Sequence, residues 1–448
     1  MRICLATLAL TLIGCQDDPA KPPVPSKSFS STTPMFEGEV PKNLLMISID
    51  TWRRDHFDPH ADGDIHAPFL ASLANNGFLL DDHKTCSNWT YAGTTCTLLG
   101  QYNLDNGFLP KMAKDYRDPV PDDTPFLASY LKEAGFHNIL VSGNSWLGTE
   151  YNNAQGYHDA EDPHTQNATQ LLERGLLKLD EAVDPLTDPW FLHVHLMEPH
   201  APYKPPDTYL DALEDLEPLP WDITENSQHY DATRDWPNLS SEEQDLLEAH
   251  LRARYAAEIR YMDDQIASFF SDLESRGLLD DTLVVVWSDH GEAFWEHGHQ
   301  SHAWTLHPHE NDGIAFFWAK NIVSEVWREP TVAIDLTPTL LSIFGIEVPA
   351  TLTGHALGTA PEDRYRHGYS ISRTDPVQSI QDGSWKLIYL WNGTVELYDL
   401  HADPDETDNL YTSDHPAART LWEALRPRVE AATALAEEWT VTWPEGLD

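Results

Sequence analysis

Basic side chains are scarce in this sequence. It has 28 lysines and arginines against 73 aspartates and glutamates, a formal net charge of −45 over 448 residues. That balance excludes nucleic acid and anionic membrane surfaces as partners held by bulk electrostatics. The acid is spread along the chain rather than gathered in a tail. It reads as a solvated surface suited to high salt, where self-repulsion is screened. Long apolar runs are scarce too: the run from Ile3 to Ile13 is too short to span a membrane as a stable anchor. There is no internal repeat. What is present is 41% hydrophobic content, enough to bury a large core and to predict one large α/β domain with a smaller unit beside it.

Met1-Arg2 before the apolar run and Gly14-Cys15 after it make the N-terminus read as an export signal. Leu12-Ile13-Gly14-Cys15 resembles a bacterial lipobox. That resemblance implies a signal peptide over residues 1–15, a lipid on Cys15, and a mature chain anchored to a membrane and facing periplasm or cell surface. The plainer alternative is a secretory signal with an incidental cysteine. Residues 16–42 are polar and rich in proline, serine and lysine, and read as a flexible tether. Cys86 and Cys96, ten residues apart in an exported chain, are either a disulfide or two buried thiols.

The chemistry concentrates where apolar runs stop. Leu283-Val284-Val285-Val286-Trp287 reads as a strand buried on both faces of a parallel sheet, and it ends at Ser288-Asp289-His290-Gly291-Glu292. Asn43 to Ile49 ends at Asp50, and Trp190 to Met197 ends at Glu198-Pro199-His200. Singly, Asp50 could be a helix cap and His200 a loop histidine. Together, three strand ends bearing oxygen and nitrogen donors suit a metal ion, because open α/β sheets bind ligands beyond the carboxyl ends of their strands.

Helical spacing is predicted over Pro68 to Ala74, Phe126 to Gly135, Asn167 to Ala182 and Tyr255 to Leu273. Ser87 to Gly100 reads as a loop opening a helix, whose free N–H groups suit a tetrahedral anion. Asp207 to Glu248 is acidic and lacks a clean period, and looks like an insertion or lid. Strands alternating with helices predict a mostly parallel sheet over residues 43–349. Residues 350–448 change character. Val377 to Trp385, Lys386 to Trp391 and Thr394 to Leu400 read as antiparallel strands with turns at Asp382-Gly383 and Asn392-Gly393. A helix over Ala417 to Trp439 completes a small α+β subdomain.

In this order the motifs are similar to those of the sulfatase branch of the alkaline phosphatase superfamily. The carriers are Asp50-Thr51-Trp52-Arg53-Arg54-Asp55-His56, Glu198-Pro199-His200-Ala201-Pro202-Tyr203, Ser288 to Glu292 with Glu296-His297-Gly298-His299, Asp335-Leu336-Thr337-Pro338, and Glu396-Leu397-Tyr398-Asp399-Leu400. The resemblance implies an alkaline-phosphatase-like sheet sandwiched by helices and hydrolysis of a small anionic ester. It departs at the nucleophile, where sulfatases carry a Cys or Ser that is oxidised to formylglycine. Here Thr90 stands at that position, with Ala92 for the family's proline and Thr94 for its arginine. Oxidising a secondary alcohol gives a ketone, so no formylglycine is expected. Asn144 and Trp146 stand near the family's Lys-x-His pair, and His302 near a later lysine.

A threonine nucleophile instead resembles the phosphoethanolamine and glycerophosphate transferases of the superfamily. That resemblance implies a single ion held by Asp50, Thr90, Asp289 and His290. Two carboxylates, an imidazole and an alkoxide suit zinc or manganese better than calcium, though calcium stays open. His200 and His302 are then expected to bind substrate oxygens or protonate the leaving group. His299, Thr94 and Asn144 are the expected substrate contacts. His297, His307 and His309 are left outside the site. Sulfate-ester hydrolysis through Thr90, phosphoryl-ester hydrolysis or transfer at the same site, and ligand binding on a decayed scaffold are the competing functions.

Overall fold

Asn43–Ile49 (β1) is an unbroken apolar run, and it folds as a strand buried at every position. The structure, a computed structural model, describes residues 34–59, 66–110, 119–163, 167–210, 216–371, 376–436 and 439–447. After β1 come α1 (Pro68–Asn75), β2 (Phe78–Leu80), β3 (His83–Lys84) and α2 (Thr90–Leu99). Next are α3 (Leu127–Glu133), β4 (His137–Ser142), β5 (Asp159–Glu161), α4 (Ala168–Ala182) and β6 (Trp190–Leu196). The middle holds α5 (Asn226–Arg234), α6 (Ser241–Ser275) and β7 (Thr282–Ser288). Short elements follow: β8 (Ala293–Phe294), β9 (Gln300–Ser301) and α7 (Pro308–Asn311). Then come β10 (Ala315–Trp318), β11 (Glu325–Trp327), β12 (Thr331–Val332) and α8 (Leu336–Ile343). The last elements are β13 (Arg366–Ser370), β14 (Val377–Gln381), β15 (Trp385–Leu390), β16 (Val395–Asp399) and α9 (Pro416–Leu435).

The main sheet has eight strands in the order β11-β2-β10-β7-β1-β6-β4-β5. The run β7-β1-β6-β4-β5 is parallel, and β10 is antiparallel to both its neighbours. Side chains alternate across it, as the pleat demands. Leu45, Ile47 and Ile49 enter one core with α1, α4 and α6, while Leu44 and Met46 enter another with α2, α3 and α8. The fold is thus the expected α/β class, a mostly parallel sheet covered on both faces. The second core continues into the antiparallel sheet β13-β14-β15-β16 and α9. Its two predicted turns are present, with Gly383 at φ +93 and Gly393 at φ +98.

Three expectations need correction. The helix predicted from Tyr255 begins at Ser241, because Ser240 and Glu243 cap it reciprocally. The segment from Asp207 to Glu248 is therefore not aperiodic: it holds α5 and the first turns of α6. The tether also ends early. Phe36 bridges to Ile322, and the Glu37 amide donates to the Asn321 carbonyl at 2.7 Å, which pins the chain before residue 42. Cys15 and the signal segment lie outside the described residues. Cys86 and Cys96 are paired as a disulfide, their Cα atoms 6.7 Å apart. Among the described residues no helix is long and apolar enough to cross a membrane.

Candidate active site

Three neighbouring parallel strands end at one level. Ile49 pairs with Leu196 on one side and Ser288 on the other. The next residues, Asp50 and Asp289, therefore emerge side by side. Thr51 turns the chain with φ 56, a left-handed value rare outside glycine. Its amide donates to Asp289 Oδ1 at 3.2 Å, and the His290 amide donates to the same oxygen at 2.8 Å. That leaves Asp289 Oδ2 turned toward His290 Nε2, 3.5 Å away.

Helix α2 brings its N-terminus to these strand ends. Gly93 allows the approach, since a Cβ there would lie 2.6 Å from the Asp289 carbonyl oxygen. Thr90, the first residue of α2, sets its Oγ1 3.4 Å from Asp50 Oδ2 and 3.4 Å from His290 Nε2. From the loop after β4, the Asn144 amide donates to Asp50 Oδ2 at 2.7 Å and to Thr90 Oγ1 at 3.2 Å. Asp50, Thr90, Asp289 and His290 are each no more than 2% exposed.

The donor set fits a divalent cation. One ligand atom from each of Asp50, Asp289 and His290 lies within 4.8 Å of the others. Asp50 Oδ1 and Asp289 Oδ2 are buried and have no hydrogen-bond partner, a costly arrangement unless a positive charge sits between them. Burial pushes the Asp289 carboxyl well up, and the neighbouring Asp50 charge pushes it further. Burial also raises Asp50, but the His200 charge and the His195 hydrogen bond outweigh it and hold this carboxyl well below its usual range. His290 is driven well down, first by burial and then by His302, so it is a neutral ring suited to ligation.

The site histidines are held at Nδ1. His290 Nδ1 faces the Gly291 carbonyl at 2.8 Å, and His200 Nδ1 faces the Ala201 carbonyl at 2.5 Å. A carbonyl only accepts, so both Nδ1 atoms carry a proton. His302 Nδ1 lies 3.1 Å from the fully buried Glu292 carboxylate, which fixes its ring in the same way. The His302 ring stands 4.5 Å from His290 and 5.1 Å from His200, so the three form one wall.

Asp50, Thr90, Asn144, His200, Asp289, His290 and His302 are thus brought together. Thr94 and His299 are not part of that group. Thr94 turns its hydroxyl back to the Thr90 carbonyl at 2.6 Å and is wholly buried, so its proton is spent within α2. His299 stacks on Trp304 with centroids 4.9 Å apart, in a separate cleft. Trp146 packs among Trp89, Tyr91 and Tyr151.

Sequence reading missed Glu292 as a support and missed the polar chain behind Asp50. His195 Nε2 lies 3.5 Å from Asp50 Oδ2, and its Nδ1 lies 2.8 Å from Ser48 Oγ. That oxygen also meets His193 Nε2 at 2.8 Å. The signal was present: His193 and His195 occupy alternate positions of an otherwise apolar buried strand, so both point to one face.

The fold and this strand-end site define an ester hydrolase with a candidate metal centre. Residues 42–346 match the sulfatase family profile, and residues 296–434 match one described as N-sulphoglucosamine sulphohydrolase, C-terminal. The chain is 24% identical over 433 residues to a choline-sulfatase of Rhizobium meliloti (strain 1021), covering 82% of each. It is 27% identical over 363 residues to an arylsulfatase of Clostridium perfringens (strain 13 / Type A), covering 74% of this chain and 72% of that one. Its fold is similar to that of a phosphonate monoester hydrolase from Silicibacter pomeroyi, with TM-score 0.64, 22% identity, and coverage of 88% of this chain and 95% of that one. The chain belongs to the sulfatase family.

Proposed function

We propose that the protein hydrolyses sulfate esters with Thr90 as the direct nucleophile, beside one divalent ion held by Asp50, Asp289 and His290. The observation that carries this reading is the Thr90 hydroxyl at a buried helix N-terminus, 3.4 Å from both Asp50 and His290. Zinc or manganese suits the mixed nitrogen and oxygen donors. When bound, the ion supplies Lewis acidity that lowers the hydroxyl pKa and offsets substrate charge.

The chain's own residues then have these roles. Asn144 orients Thr90 Oγ1 by donating to it. Thr90 Oγ1 bonds to sulfur as the sulfur–oxygen bond to the alcohol breaks. His200 or His302 takes up the Thr90 proton and passes it to the leaving oxygen. The helix N-terminus and the histidine wall hold the remaining oxygens. Water then attacks the transferred centre, releasing the anion and restoring the hydroxyl. Threonine has no hydrate to expel the group by elimination, so the second attack is obligatory.

That requirement favours a second reading, a phosphoryl or phosphonate ester as substrate, because such centres are resolved by direct attack. The similarity in fold to a phosphonate monoester hydrolase is compatible with it. Elemental analysis combined with turnover of 4-nitrophenyl sulfate, phosphate and phenylphosphonate decides between them. Sulfate turnover with one bound equivalent of zinc or manganese is expected. Turnover confined to the phosphorus esters supports the second reading, and no turnover with no bound metal leaves a binding protein on a sulfatase scaffold. We also propose that the chain is exported and lipid-anchored through Cys15; an unmodified mature N-terminus elsewhere in the mass spectrum refutes this.

A further inference from the structure

The sheet face beneath α2, α3 and α8 is apolar at Leu44, Met46 and Phe191. The alternation that turns those side chains to it also turns Ser48, His193 and His195 to it. Across β1 and β6, Met46 pairs with His193 and Ser48 with His195. Ser48, His193 and His195 are wholly buried. Polar side chains in such a place are costly unless each is bonded. They are bonded in series. The Tyr157 hydroxyl, from the turn before β5, lies 2.9 Å from His193 Nδ1. His193 Nε2 and His195 Nδ1 each lie 2.8 Å from Ser48 Oγ. His195 Nε2 faces Asp50 Oδ2 at 3.5 Å, the outer limit of a hydrogen bond, and has no nearer partner among the described residues.

The series has a direction. Burial holds the Tyr157 phenol well above its usual pKa, so it has a proton to give. Burial drives His193 well down, so that ring carries one proton rather than two. A phenol donating to His193 Nδ1 leaves the ring proton on Nε2, where it meets Ser48 Oγ. Ser48 then gives its own proton to His195 Nδ1, and the proton of His195 stands on Nε2. The other end agrees, because a carboxylate only accepts and Nε2–H is what faces Asp50. Asp50 Oδ2 is thereby approached by two donors. The second is the Asn144 side-chain amide at 2.7 Å. The Asn144 backbone amide is seated on Ser142 Oγ, and Ser142 pairs with His195 from the neighbouring strand. Asp50 Oδ1 is left without a hydrogen bond, 3.5 Å from His290 Nε2. Asp289 repeats the pattern, with two amides on Oδ1 and none on Oδ2.

We infer that Tyr157, His193, Ser48 and His195 are positioning residues for Asp50, a directed chain of donors that fixes Oδ2 and so presents Oδ1 to the cation. The inference rests on the proposed function for the cation, and on the hydrogen bonds alone for the direction of the chain. A bonded network of this kind fixes the ring orientations and the carboxylate together, because each link polarises the next. Partners of this sort behind a ligand set its affinity for metal as well as its angle.

The direction is read first, in metal-free full chain, from the ring-nitrogen NMR shifts of labelled histidines, assigned by the signals lost in His193→Leu and His195→Met. His193 and His195 are both expected to be neutral with the proton on Nε2. A proton on His195 Nδ1 reverses the chain and overturns the inference. Zinc affinity is then measured by competition with a chelating dye. His195→Met removes the donor and should raise the zinc Kd about tenfold to a hundredfold. His195→Gln, whose amide nitrogen reaches toward the place of Nε2, should bring it back to within about threefold of wild type. Tyr157→Phe deletes a single oxygen at the far end of the chain. It should raise the Kd by about threefold and let the His193 proton move to Nδ1. Far-UV circular dichroism checks the fold, and Tyr157→Phe carries the test if His195→Met fails to fold. A zinc Kd unchanged in the folded variants, with only the melting temperature lowered, makes the chain mere packing and overturns the inference. Wild type that shows both tautomers and binds no zinc breaks the proposed function and leaves the directed chain standing.

Discussion

Two groups of three histidines, five of the six between residues 290 and 309, do opposite things. His290 and His302, with His200, are held at Nδ1 beside two carboxylates, each with one oxygen that lacks a hydrogen-bond partner. His297, His307 and His309 form a stack against the antiparallel sheet, with His297 and His307 only 3.6 Å apart. Both nitrogens of His307 are taken, one by Glu406 at 2.9 Å and the other by Glu396 at 3.2 Å. Glu406 in turn holds the buried Lys386 at 2.8 Å. An imidazole saturated by carboxylates is a strut, whereas one fixed at a single nitrogen is a tool. Which of these a histidine becomes depends on the acids the fold delivers to it.

The sharpest way to break this contrast is to remove the nucleophile. Thr90→Ala should lower kcat by about a thousandfold or more while far-UV circular dichroism stays unchanged. Undiminished turnover removes Thr90 from the chemistry.

A smaller effect is expected at Glu292→Gln. It frees the His302 ring but leaves Asp50, Asp289 and His290 in place. Turnover should fall about tenfold to a hundredfold with metal content retained. Equal loss of metal would make Glu292 part of the metal centre's scaffold instead.

On the strut side, Glu406→Gln should cost about 3–5 kcal/mol in urea unfolding, because it strands the charge of Lys386 in the core. The folded fraction should keep its metal. If the metal goes as well, the two groups are not independent.

The same pair has a pH signature. Burial opposes ionisation of Glu406, but Lys386 and His307 hold its pKa down to about 2. Its contribution is therefore present above the ordinary value of 4.5 and is lost as pH falls toward about 2. His307 is opposed by burial yet raised above 6.5 by Glu396 and Glu406, so its contribution fades as pH rises through that raised value. In His307→Asn, melting temperature against pH should lose the alkaline slope and keep an acid slope, which Lys386 still supplies.

The candidate metal centre was legible because strands buried on both faces advertise themselves, and an acid at their ends has no packing excuse. Asp50, Asp289 and His290 stand in that pattern, which also marked Glu198 and His200, and the resemblance narrowed the set. The residues alone showed a hydroxyl-rich loop opening a helix, and the resemblance to sulfatases singled out Thr90 in it. The supports were not. Glu292 and His302 are ten residues apart and meet only because the β8-β9 hairpin folds back. Thr94 was misplaced because a hydroxyl and the arginine it replaces differ in reach, and the shorter group bonds the turn behind it. The start of α6 was overlooked although Ser240 and Glu243 spelled a capping box. Strand β13 was missed because Arg366-His367-Gly368 carries no strand pattern; its partner β14 recruits it.

The central position of β1 sets a schedule for the protein's birth. Thr51 meets the Asp289 carboxylate across a sequence separation of 238 residues. Pairings that distant are slow to form. A nascent chain carries Asp50 and Thr90 early but gains no matching carboxylate until β7 has been made. Under the proposed function, ion capture is a receipt for finished assembly: a chain cut before Thr282 has the Thr90 hydroxyl and nothing to hold a cation against it.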